Sequence, residues 1–537
     1  MPENWPGMTG DRNLVRIGTK TVDDATCPAF LAAKARPAMW PSRRSYARKP
    51  RLDGFPLGAV MSALDDVEFS GLTLAVALDR VGRTGKPLHP GTARWARHTV
   101  PVYLHGAAYI ETPAVTPVPH YWVVRRTAAE LTWEMYAWGR RYESPDGAVR
   151  ELRLIRFGEA DDAHRAPANV AIAAYSTAFG IPASWPRPWG EPFRPVSAGP
   201  VQVQRVRVLE IGLADGSHAV LFDGTPEQAE ALYAAHARAQ VKDVARGGTA
   251  EPGAGCAGCK LVTGCDALPR IPGILGLADP AAPLRTWSVT NGRSYAVCPA
   301  QDHLFRLHLP REGEYGPAAV RGQAVHEWLR RSHAERPLTP CTASNVPGTP
   351  DDWQAGRWRV TGEQASAGAL MLAWHADSCP FPFRQAGQSA EVRLEPTLAV
   401  HDTAANVVLI AKPDMLYLDG GAWVWRETKT RWRLPRPGSD LFRDFPQLAL
   451  AAVLMAENAL GGKPSSQRIE LEILARDGSD VLLIDPGDPA EVGRARTVIH
   501  ELAAPWHADE EAPARPGPHC GGCPVRRWCP DAPAAAT

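Results

Sequence analysis

The chain has 537 residues, of which 45% are hydrophobic and 22% are charged. At about 150 residues per domain, this length predicts roughly two to four folding units. No apolar run reaches the ~18 residues that a membrane span needs, and a net charge of +1 is no general argument for nucleic-acid binding. The N-terminus lacks the pattern of a secretory signal, so we expect a cytoplasmic protein whose cysteines are metal ligands or thiols.

A cysteine pattern occurs twice along the chain. Residues 256–265 and 520–529 both have the spacing Cys-x2-Cys-x5-Cys, at an offset of 264 residues. One Cys-Pro pair lies far upstream of each triplet, beginning at Cys27 and at Cys298. The order of one cysteine followed much later by three is therefore the same in both parts.

Residues 208–217 also match residues 470–479, at the similar offset of 262. Self-similarity near one offset predicts a duplicated unit. We place the first copy at 15–268 and the second at 286–532. The Pro- and Gly-rich stretch at 269–285 is the predicted linker.

In the second copy, two β-rich runs flank a Gly-Gly pair at 420–421, which predicts a hairpin. A tight turn places Asp414 directly opposite Glu427. Two carboxylates this close repel each other unless a cation lies between them, and Mg²⁺ or Mn²⁺ prefers oxygen ligands. The carbonyl of Thr428 can add a ligand. Lys429 lies on the same strand face as Glu427, where it can assist the attacking water and offset charge on a phosphate.

The order Pro413-Asp414, then Glu427-Thr428-Lys429, resembles the core of PD-(D/E)XK nucleases. The surrounding segments resemble the RecB-like members of that superfamily, including CRISPR-associated ones, in four features: a cysteine-bearing helix at 294–309, a Gly-x3-His helix at 321–331, a strand that begins at Glu391, and a Gln-bearing helix at 442–455. The resemblance covers nearly all of 286–532. It implies that His326 joins Asp414, Glu427 and Thr428 as a metal ligand, that Gln447 belongs to the active site, and that Glu391 is a further candidate.

The resemblance extends to the cysteines. Cys298, Cys520, Cys523 and Cys529 match the pattern that holds a [4Fe–4S] cluster in the iron–sulfur branch of these nucleases. Cys27, Cys256, Cys259 and Cys265 keep the same spacing, so a second cluster is predicted in the first copy. By ligand type alone, thiolates suit zinc equally well, and zinc stays the alternative at both sites. Cys341 and Cys379 fall outside both sets and are expected to be ordinary thiols.

The first copy lacks most of the catalytic residues. Residues 138–156 align with the catalytic hairpin, and Glu151 and Arg153 stand where the second copy has its Glu-x-Lys pair. Arg140 or Arg141 falls near the position of the aspartate, and a serine replaces the histidine. Because a guanidinium repels a metal ion, we predict a degenerate copy, a pseudonuclease. Its arginines are expected either to contact phosphates or to lie on a solvated surface.

The predicted architecture is therefore α/β: two tandem restriction-endonuclease-like domains, each with a mixed central sheet flanked by helices and a four-cysteine site. The resemblance implies a metal-dependent exonuclease that acts on single-stranded DNA or DNA ends in repair, recombination or phage defence. The chain has no helicase phosphate loop, so a helicase or a defence-complex subunit would be a separate partner. Two alternatives stay open: a non-catalytic nucleic-acid-binding or scaffolding subunit, and a zinc-stabilised protein-interaction module.

Overall fold

Helices and strands alternate along the described chain, and both classes contribute to each part of it. The computed structural model describes residues 9–533 except 23–26, 40–47, 84, 111–113, 129, 164, 197–201, 314, 337, 343, 345, 382–390, 435–437 and 464–465. Within these residues, no helix is both long and apolar enough to cross a membrane.

The helices are α1 (Pro28–Lys34), α2 (Pro56–Glu68), α3 (Leu74–Arg80), α4 (Pro90–Ala108), α5 (Pro167–Phe179), α6 (Pro226–His236), α7 (Arg238–Arg246), α8 (Val289–Val297), α9 (Pro299–Arg306), α10 (Pro317–Ala334), α11 (Gly362–Ser378), α12 (Leu441–Asp444), α13 (Pro446–Ala456) and α14 (Pro489–Ala508). The strands are β1 (Leu14–Ile17), β2 (Thr116–Pro117), β3 (Tyr121–Ala128), β4 (Leu131–Tyr136), β5 (Arg140–Glu143), β6 (Val149–Arg156), β7 (Ile181–Ser184), β8 (Arg194–Pro195), β9 (Arg205–Gly212), β10 (His218–Gly224), β11 (Arg285–Trp287), β12 (Asp352–Ala355), β13 (Trp358–Thr361), β14 (Val392–Leu394), β15 (Leu398–Asp402), β16 (Val407–Ala411), β17 (Met415–Asp419), β18 (Ala422–Thr430), β19 (Arg468–Ala475) and β20 (Gly478–Ile484).

The chain divides into two compact units whose bounds differ from those of the predicted repeat. Unit 1 comprises residues 1–268, 297–312 and 510–537, and unit 2 comprises residues 269–296 and 313–509. Leu304 and Trp528 explain part of the difference, because both are buried in a core cluster of unit 1. The segment around Cys298 and the last cysteine triplet therefore pack within unit 1.

The stretch 269–285, predicted to be a linker, packs into unit 2. Ile274 and Leu275 are buried in the main core of that unit. The amides of Gly273 and Leu275 donate hydrogen bonds to the carboxylate of Asp402, each at 2.9 Å. Because this stretch places apolar side chains in a core and pairs its amides with a buried acceptor, it is part of the fold.

The central sheet of unit 2 has the strand order β14-β17-β18-β19-β20. β18 and β19 run parallel, and every other neighbouring pair is antiparallel. The register of β17 and β18 is the one that the Gly-Gly turn predicts, since Leu416 pairs with Trp425 and Asp419 with Ala422. Gly420 and Gly421 have φ values of 59° and 84°, which glycine adopts without strain.

Helices cover both faces of this sheet. On one face, Trp425 of β18 and Ile473 of β19 are buried with side chains of α13 and α14. On the other face, Leu474 of β19 is buried with side chains of α10 and α11. Successive strand residues point to opposite faces, so Glu427 and Lys429 share the face of Trp425, whereas Thr428 points toward the opposite face.

Unit 1 contains a five-stranded sheet of the same design, in the order β2-β5-β6-β9-β10. Its β6 and β9 are parallel, and its other neighbouring pairs are antiparallel. The two sheets therefore share both strand order and strand directions. Unit 1 also has a second five-stranded sheet, in the order β1-β4-β3-β7-β8.

Candidate active site

Three predicted catalytic side chains converge where β17 begins and β18 ends. The ammonium Nζ of Lys429 lies 3.2 Å from Oδ2 of Asp414 and 2.8 Å from Oε2 of Glu427. The indole N–H of Trp425 donates to Oε1 of Glu427 at 3.0 Å. The hairpin register thus brings the two carboxylates and the lysine to one point.

Helix α10 brings His326 to the same point. Its Nδ1 lies 3.5 Å from Oδ1 of Asp414. Gly322, one turn earlier in α10, faces β18 so closely that a Cβ there would lie 3.0 Å from the Oγ1 of Thr430. The glycine of the Gly-x3-His pattern therefore allows the helix to approach the strand that carries Glu427 and Lys429.

Burial and charge act in opposite directions on the ionisable groups of this site. Burial would raise the pKa of Asp414, but His326, Lys429 and the Thr428 amide outweigh it and lower that pKa. Burial, together with the nearby Asp414, raises the pKa of Glu427 to about 7 in spite of Lys429. Burial would lower the pKa of Lys429, but the two carboxylates raise it above its usual range. The lysine is therefore protonated at neutral pH.

The backbone of Thr428 contacts Asp414, and its hydroxyl contacts Glu472. Its amide donates to Oδ2 of Asp414 at 2.8 Å. In an extended strand, the N–H and C=O of one residue point to the same side, so the Thr428 carbonyl points toward the strand edge that Asp414 occupies. Its Oγ1 donates at 2.8 Å to Oε2 of Glu472, a fully buried residue that we did not single out from the sequence.

Two predicted residues do not join this group. Gln447 is the second residue of α13 and is half-buried, and no hydrogen bond joins it to the three catalytic side chains in the described part of the chain. Glu391 is exposed, and its carboxylate pairs with the exposed Arg393. Glu395 contacts Asp414 through the backbone, since its amide donates to the carbonyl of Asp414 at 3.0 Å, whereas its carboxylate pairs with Lys412. Its position after β14 could not be read from the sequence.

The donor set fits a divalent cation. Asp414 and Glu427 supply carboxylate oxygens, Thr428 a carbonyl and His326 an imidazole, and hard cations prefer such oxygen-rich sets. The pKa of Glu427, raised to about 7 by burial, indicates that Lys429 alone leaves this carboxylate under-compensated. An additional positive charge beside it would favour its ionised form.

The C-terminal four-cysteine set converges within unit 1. Cys298, Cys520, Cys523 and Cys529 line one cavity. Burial raises the pKa of Cys523, and the other three thiols raise it further. The predicted single cysteine-bearing helix is two helices, because Cys298 is the N-cap of α9 and separates it from α8.

The N-terminal set shows the same local arrangement. Burial, together with the nearby thiols of Cys256, Cys27 and Cys265, raises the pKa of Cys259 to about 11. Backbone amides also donate to the sulfur atoms in a repeated pattern: Glu251 N to Cys27 (3.1 Å), Gly253 N to Cys256 (3.2 Å), Arg515 N to Cys298 (3.4 Å) and Gly517 N to Cys520 (3.4 Å). The donors of the two sets are separated by the same 264 residues as the triplets.

The hairpin of the first copy holds a closed ion-pair network. Arg153 Nε lies 2.6 Å from Oε1 of Glu151, and Arg207 contacts the other oxygen of that carboxylate. Arg140 pairs with Asp65 and Glu68 of α2. These arginines are buried, at 4% exposed for Arg140 and 5% for Arg153. Both expectations for them were therefore wrong: they neither lie on a solvated surface nor present free guanidinium groups to phosphates.

Cys341 and Cys379, which were expected to be ordinary thiols, do not stand alone. Both lie beside His333 and His375, and the ligand atoms of these four residues are all within 4.8 Å of one another. Among the described residues, this is the one such group of histidine, cysteine or acidic side chains. His375 and Cys379 are four residues apart, a spacing that places two ligands on one helix face, and this signal was present in the sequence.

Residues 286–530 match the family model of the PD-(D/E)XK nuclease superfamily. The C-terminal part of the chain thus carries a PD-(D/E)XK domain, and this superfamily consists in general of nucleases that use Mg²⁺ or Mn²⁺. The match includes the convergent site at Asp414, Glu427 and Lys429. No curated protein matches the chain.

Proposed function

We propose that the chain is a divalent-metal-dependent deoxyribonuclease, and that unit 2 hydrolyses phosphodiester bonds in single-stranded DNA or at DNA ends. The observation that carries the proposal is the convergence of Asp414, Glu427 and Lys429 within hydrogen-bond distance, beside His326. A nucleic-acid substrate follows from the nuclease superfamily. The choice of DNA and of its ends follows the resemblance to RecB-like exonucleases.

Each residue has a distinct part in this proposal. Asp414, Glu427, the Thr428 carbonyl and His326 hold the cation, which supplies positive charge to the phosphate and makes water more acidic. Lys429 lies between two carboxylates that raise the pKa of its ammonium group, and it stabilises negative charge that develops on the phosphate. His326 and the amide of Thr428 fix the orientation of Asp414.

We further propose that the chain is a tandem duplication within the iron–sulfur RecB-like branch. The identical strand order and directions of the two five-stranded sheets support duplication. The repeated amide-to-sulfur hydrogen bonds support two equivalent four-cysteine sites. The C-terminal thiols line one cavity, and four thiolates are the usual ligands of a [4Fe–4S] cluster.

In the same proposal, the first copy is a pseudonuclease with a scaffolding role. Both carboxylate oxygens of Glu151 form ion pairs, one with Arg153 and the other with Arg207. Within the described residues, no such arginine pair surrounds Glu427, whose charged neighbours are Lys429 and Asp414. A cation could enter the first hairpin only by displacing buried guanidinium groups, which would leave them unpaired at a cost of several kcal/mol.

The test is cleavage of 5′- and 3′-labelled single- and double-stranded DNA by the full chain with Mn²⁺ or Mg²⁺. We expect Lys429→Ala and Asp414→Asn each to reduce cleavage by at least ~100-fold. Lys463→Ala and Asp419→Asn are the matched controls, because both lie at the turn end of the hairpin, away from the site. Both controls should cleave like the unmodified protein.

Equal cleavage by all variants would disprove the site, because the activity would then come from elsewhere or from a contaminant. Intact DNA after incubation with unmodified protein would disprove the nuclease. If that protein still bound labelled DNA, the alternative of a non-catalytic nucleic-acid-binding subunit would replace it. Iron and sulfide analysis with visible absorption separately tests the clusters, and a colourless protein with zinc in their place would disprove them.

A further inference from the structure

Two histidines and two cysteines of unit 2 meet at a point that the proposed nuclease site does not use. Nε2 of His333 lies 3.3 Å from Nε2 of His375, 3.3 Å from Sγ of Cys341 and 3.9 Å from Sγ of Cys379. All four ligand atoms lie within 4.8 Å of one another. Four donors that face one point form a compact cage.

These distances match tetrahedral zinc coordination. Zinc binds imidazole nitrogen at ~2.0–2.1 Å and thiolate sulfur at ~2.3 Å. In a tetrahedron with these bond lengths, two nitrogens lie about 3.3 Å apart and a nitrogen lies about 3.6 Å from a sulfur. The nitrogen–nitrogen separation agrees with 3.3 Å, and the nitrogen–sulfur separations of 3.3 and 3.9 Å fall on either side of the ideal value.

The four residues come from different parts of the fold. His333 lies in the last turn of α10, His375 lies in α11, and Cys379 is the C-cap of α11. Cys341 lies in the loop that follows α10. His333 is 5% exposed and His375 is 1% exposed. The packing of two helices and a loop therefore brings these side chains together and buries both imidazoles.

The second nitrogen of His375 has the partner that zinc-binding histidines usually have. Its Nδ1 lies 2.7 Å from Oε1 of Glu472. A carboxylate in this position holds the proton on Nδ1 and directs Nε2 toward the metal. The amide of Cys341 also donates to Sγ of Cys379 at 3.4 Å, which favours a negatively charged sulfur.

We propose that His333, Cys341, His375 and Cys379 bind one zinc ion as a structural site. Two thiolates and two imidazoles are a ligand set for tetrahedral zinc. Four protein ligands leave no open position for water or substrate, so this ion does not take part in hydrolysis. The site is distinct from the proposed catalytic cation, whose ligands are Asp414, Glu427, Thr428 and His326.

The ion ties the end of α10 to the end of α11 and to the loop at Cys341. His326 lies seven residues before His333 in α10, about two helical turns away. Zinc binding therefore holds the helix that presents His326 to Asp414. This positioning effect rests on the proposed nuclease function, whereas zinc binding itself does not.

The first experiment is metal analysis of the full chain, purified without chelators, together with X-ray absorption at the zinc edge. We expect one zinc per chain that is bound by two sulfur and two nitrogen ligands. Absence of zinc, zinc bound by four sulfurs only, or a disulfide between Cys341 and Cys379 found by mass spectrometry would each overturn the proposal. None of these measurements depends on DNA cleavage.

The second experiment compares two buried histidines of unit 2. His375→Gln should lose the equivalent of zinc, whereas His401→Gln, at an equally buried position outside the group, should keep it. Iron content should be the same in both variants. Cys341→Ser changes a loop residue and provides a second ligand variant if His375→Gln does not fold. Zinc retained by both ligand variants, or lost equally from His401→Gln, would overturn the assignment.

Discussion

The buried carboxylate of Glu472 accepts a 2.8 Å hydrogen bond from the hydroxyl of Thr428, the residue between Glu427 and Lys429. Its other oxygen lies 2.7 Å from Nδ1 of His375. One side chain therefore joins the catalytic strand to the proposed zinc site. Because Thr428 also donates its amide to Asp414, any shift of this strand changes both sites.

Thr428→Val tests this link. The valine has nearly the same shape but no hydroxyl, so a buried oxygen of Glu472 loses a hydrogen bond. We expect a loss of ~1–3 kcal/mol in the free energy of unfolding, measured by urea denaturation of the full chain. Thr430→Val, two residues along the same strand, is the control. Equal stability of the two variants would show that the Thr428 hydroxyl contributes nothing.

Gly322→Ala tests the close approach of α10 to β18. In a helix interior, alanine is about 1 kcal/mol more favourable than glycine. Gly493→Ala in α14 is the control, because a Cβ there meets nothing within 4 Å. This control variant should have a raised melting temperature. The Cβ at position 322 would instead lie 3.0 Å from Thr430 Oγ1. We expect no such gain there, and reduced DNA cleavage because α10 moves away with His326.

The double variant Gly322→Ala/Thr430→Ala separates crowding from other effects. Removal of the Thr430 side chain beyond Cβ relieves the contact. The double variant should therefore gain the stability that alanine gives to a helix, and it should cleave DNA faster than Gly322→Ala. If Gly322→Ala alone stabilised the protein as much as Gly493→Ala and cleaved DNA normally, the close approach of α10 to β18 would not be needed for activity.

The local features of the candidate site could be predicted from the sequence. A Gly-Gly turn between two β-rich runs sets the register of the hairpin, and period two then places Glu427 and Lys429 on one face. In the same way, a spacing of four residues places Gly322 and His326 on one face of a helix. Local patterns suffice for these features because each depends only on residues that are neighbours in the sequence.

Features that depend on long-range packing could not be predicted in the same way. The zinc group needs the end of α10, the end of α11 and a loop to meet, and Glu472 joins it from β19. The arginines of the first hairpin are buried because α2 supplies Asp65 and Glu68. Their sequence surroundings give no sign of these partners, so a solvated surface was the natural but wrong expectation.

The buried His303 should make the stability of unit 1 sensitive to acid. Burial, His89 and Arg306 lower its pKa to about 3, whereas an unfolded chain has a histidine pKa of about 6.5. Between these values the unfolded chain binds the additional proton, so stability rises with pH through this window and falls as the pH decreases below about 6.5. We expect the group to remove about 2 kcal/mol of stability between pH 7 and pH 5.

The measurement is the unfolding midpoint at pH 7 and pH 5 for unmodified protein, for His303→Gln and for His236→Gln. His236 is an exposed residue of α6 in the same unit and serves as the control. The pH dependence should weaken in His303→Gln only. An unchanged slope in that variant would show that folding does not lower the pKa of His303.

The final prediction compares the glutamates at the aligned positions of the two hairpins. Glu151→Gln leaves Arg153 buried without a carboxylate and Arg207 with Asp223 alone, and breaking such a network should cost ~3–5 kcal/mol. Glu427→Gln instead removes a buried charge whose pKa is already raised to about 7 and which Asp414 repels. At pH 8 without divalent ions, we expect this variant to be at least about 1 kcal/mol more stable than unmodified protein.

Their effects on cleavage should be the reverse of their effects on stability. Glu427→Gln should reduce DNA cleavage by at least ~100-fold because a cation ligand is lost, whereas Glu151→Gln should cleave normally at temperatures where it remains folded. This contrast follows from one difference between the hairpins: arginines neutralise Glu151, but Glu427 retains uncompensated charge. If Glu427→Gln were strongly destabilised without metal, or if folded Glu151→Gln lost activity, the assignment of catalysis to the second hairpin alone would fail.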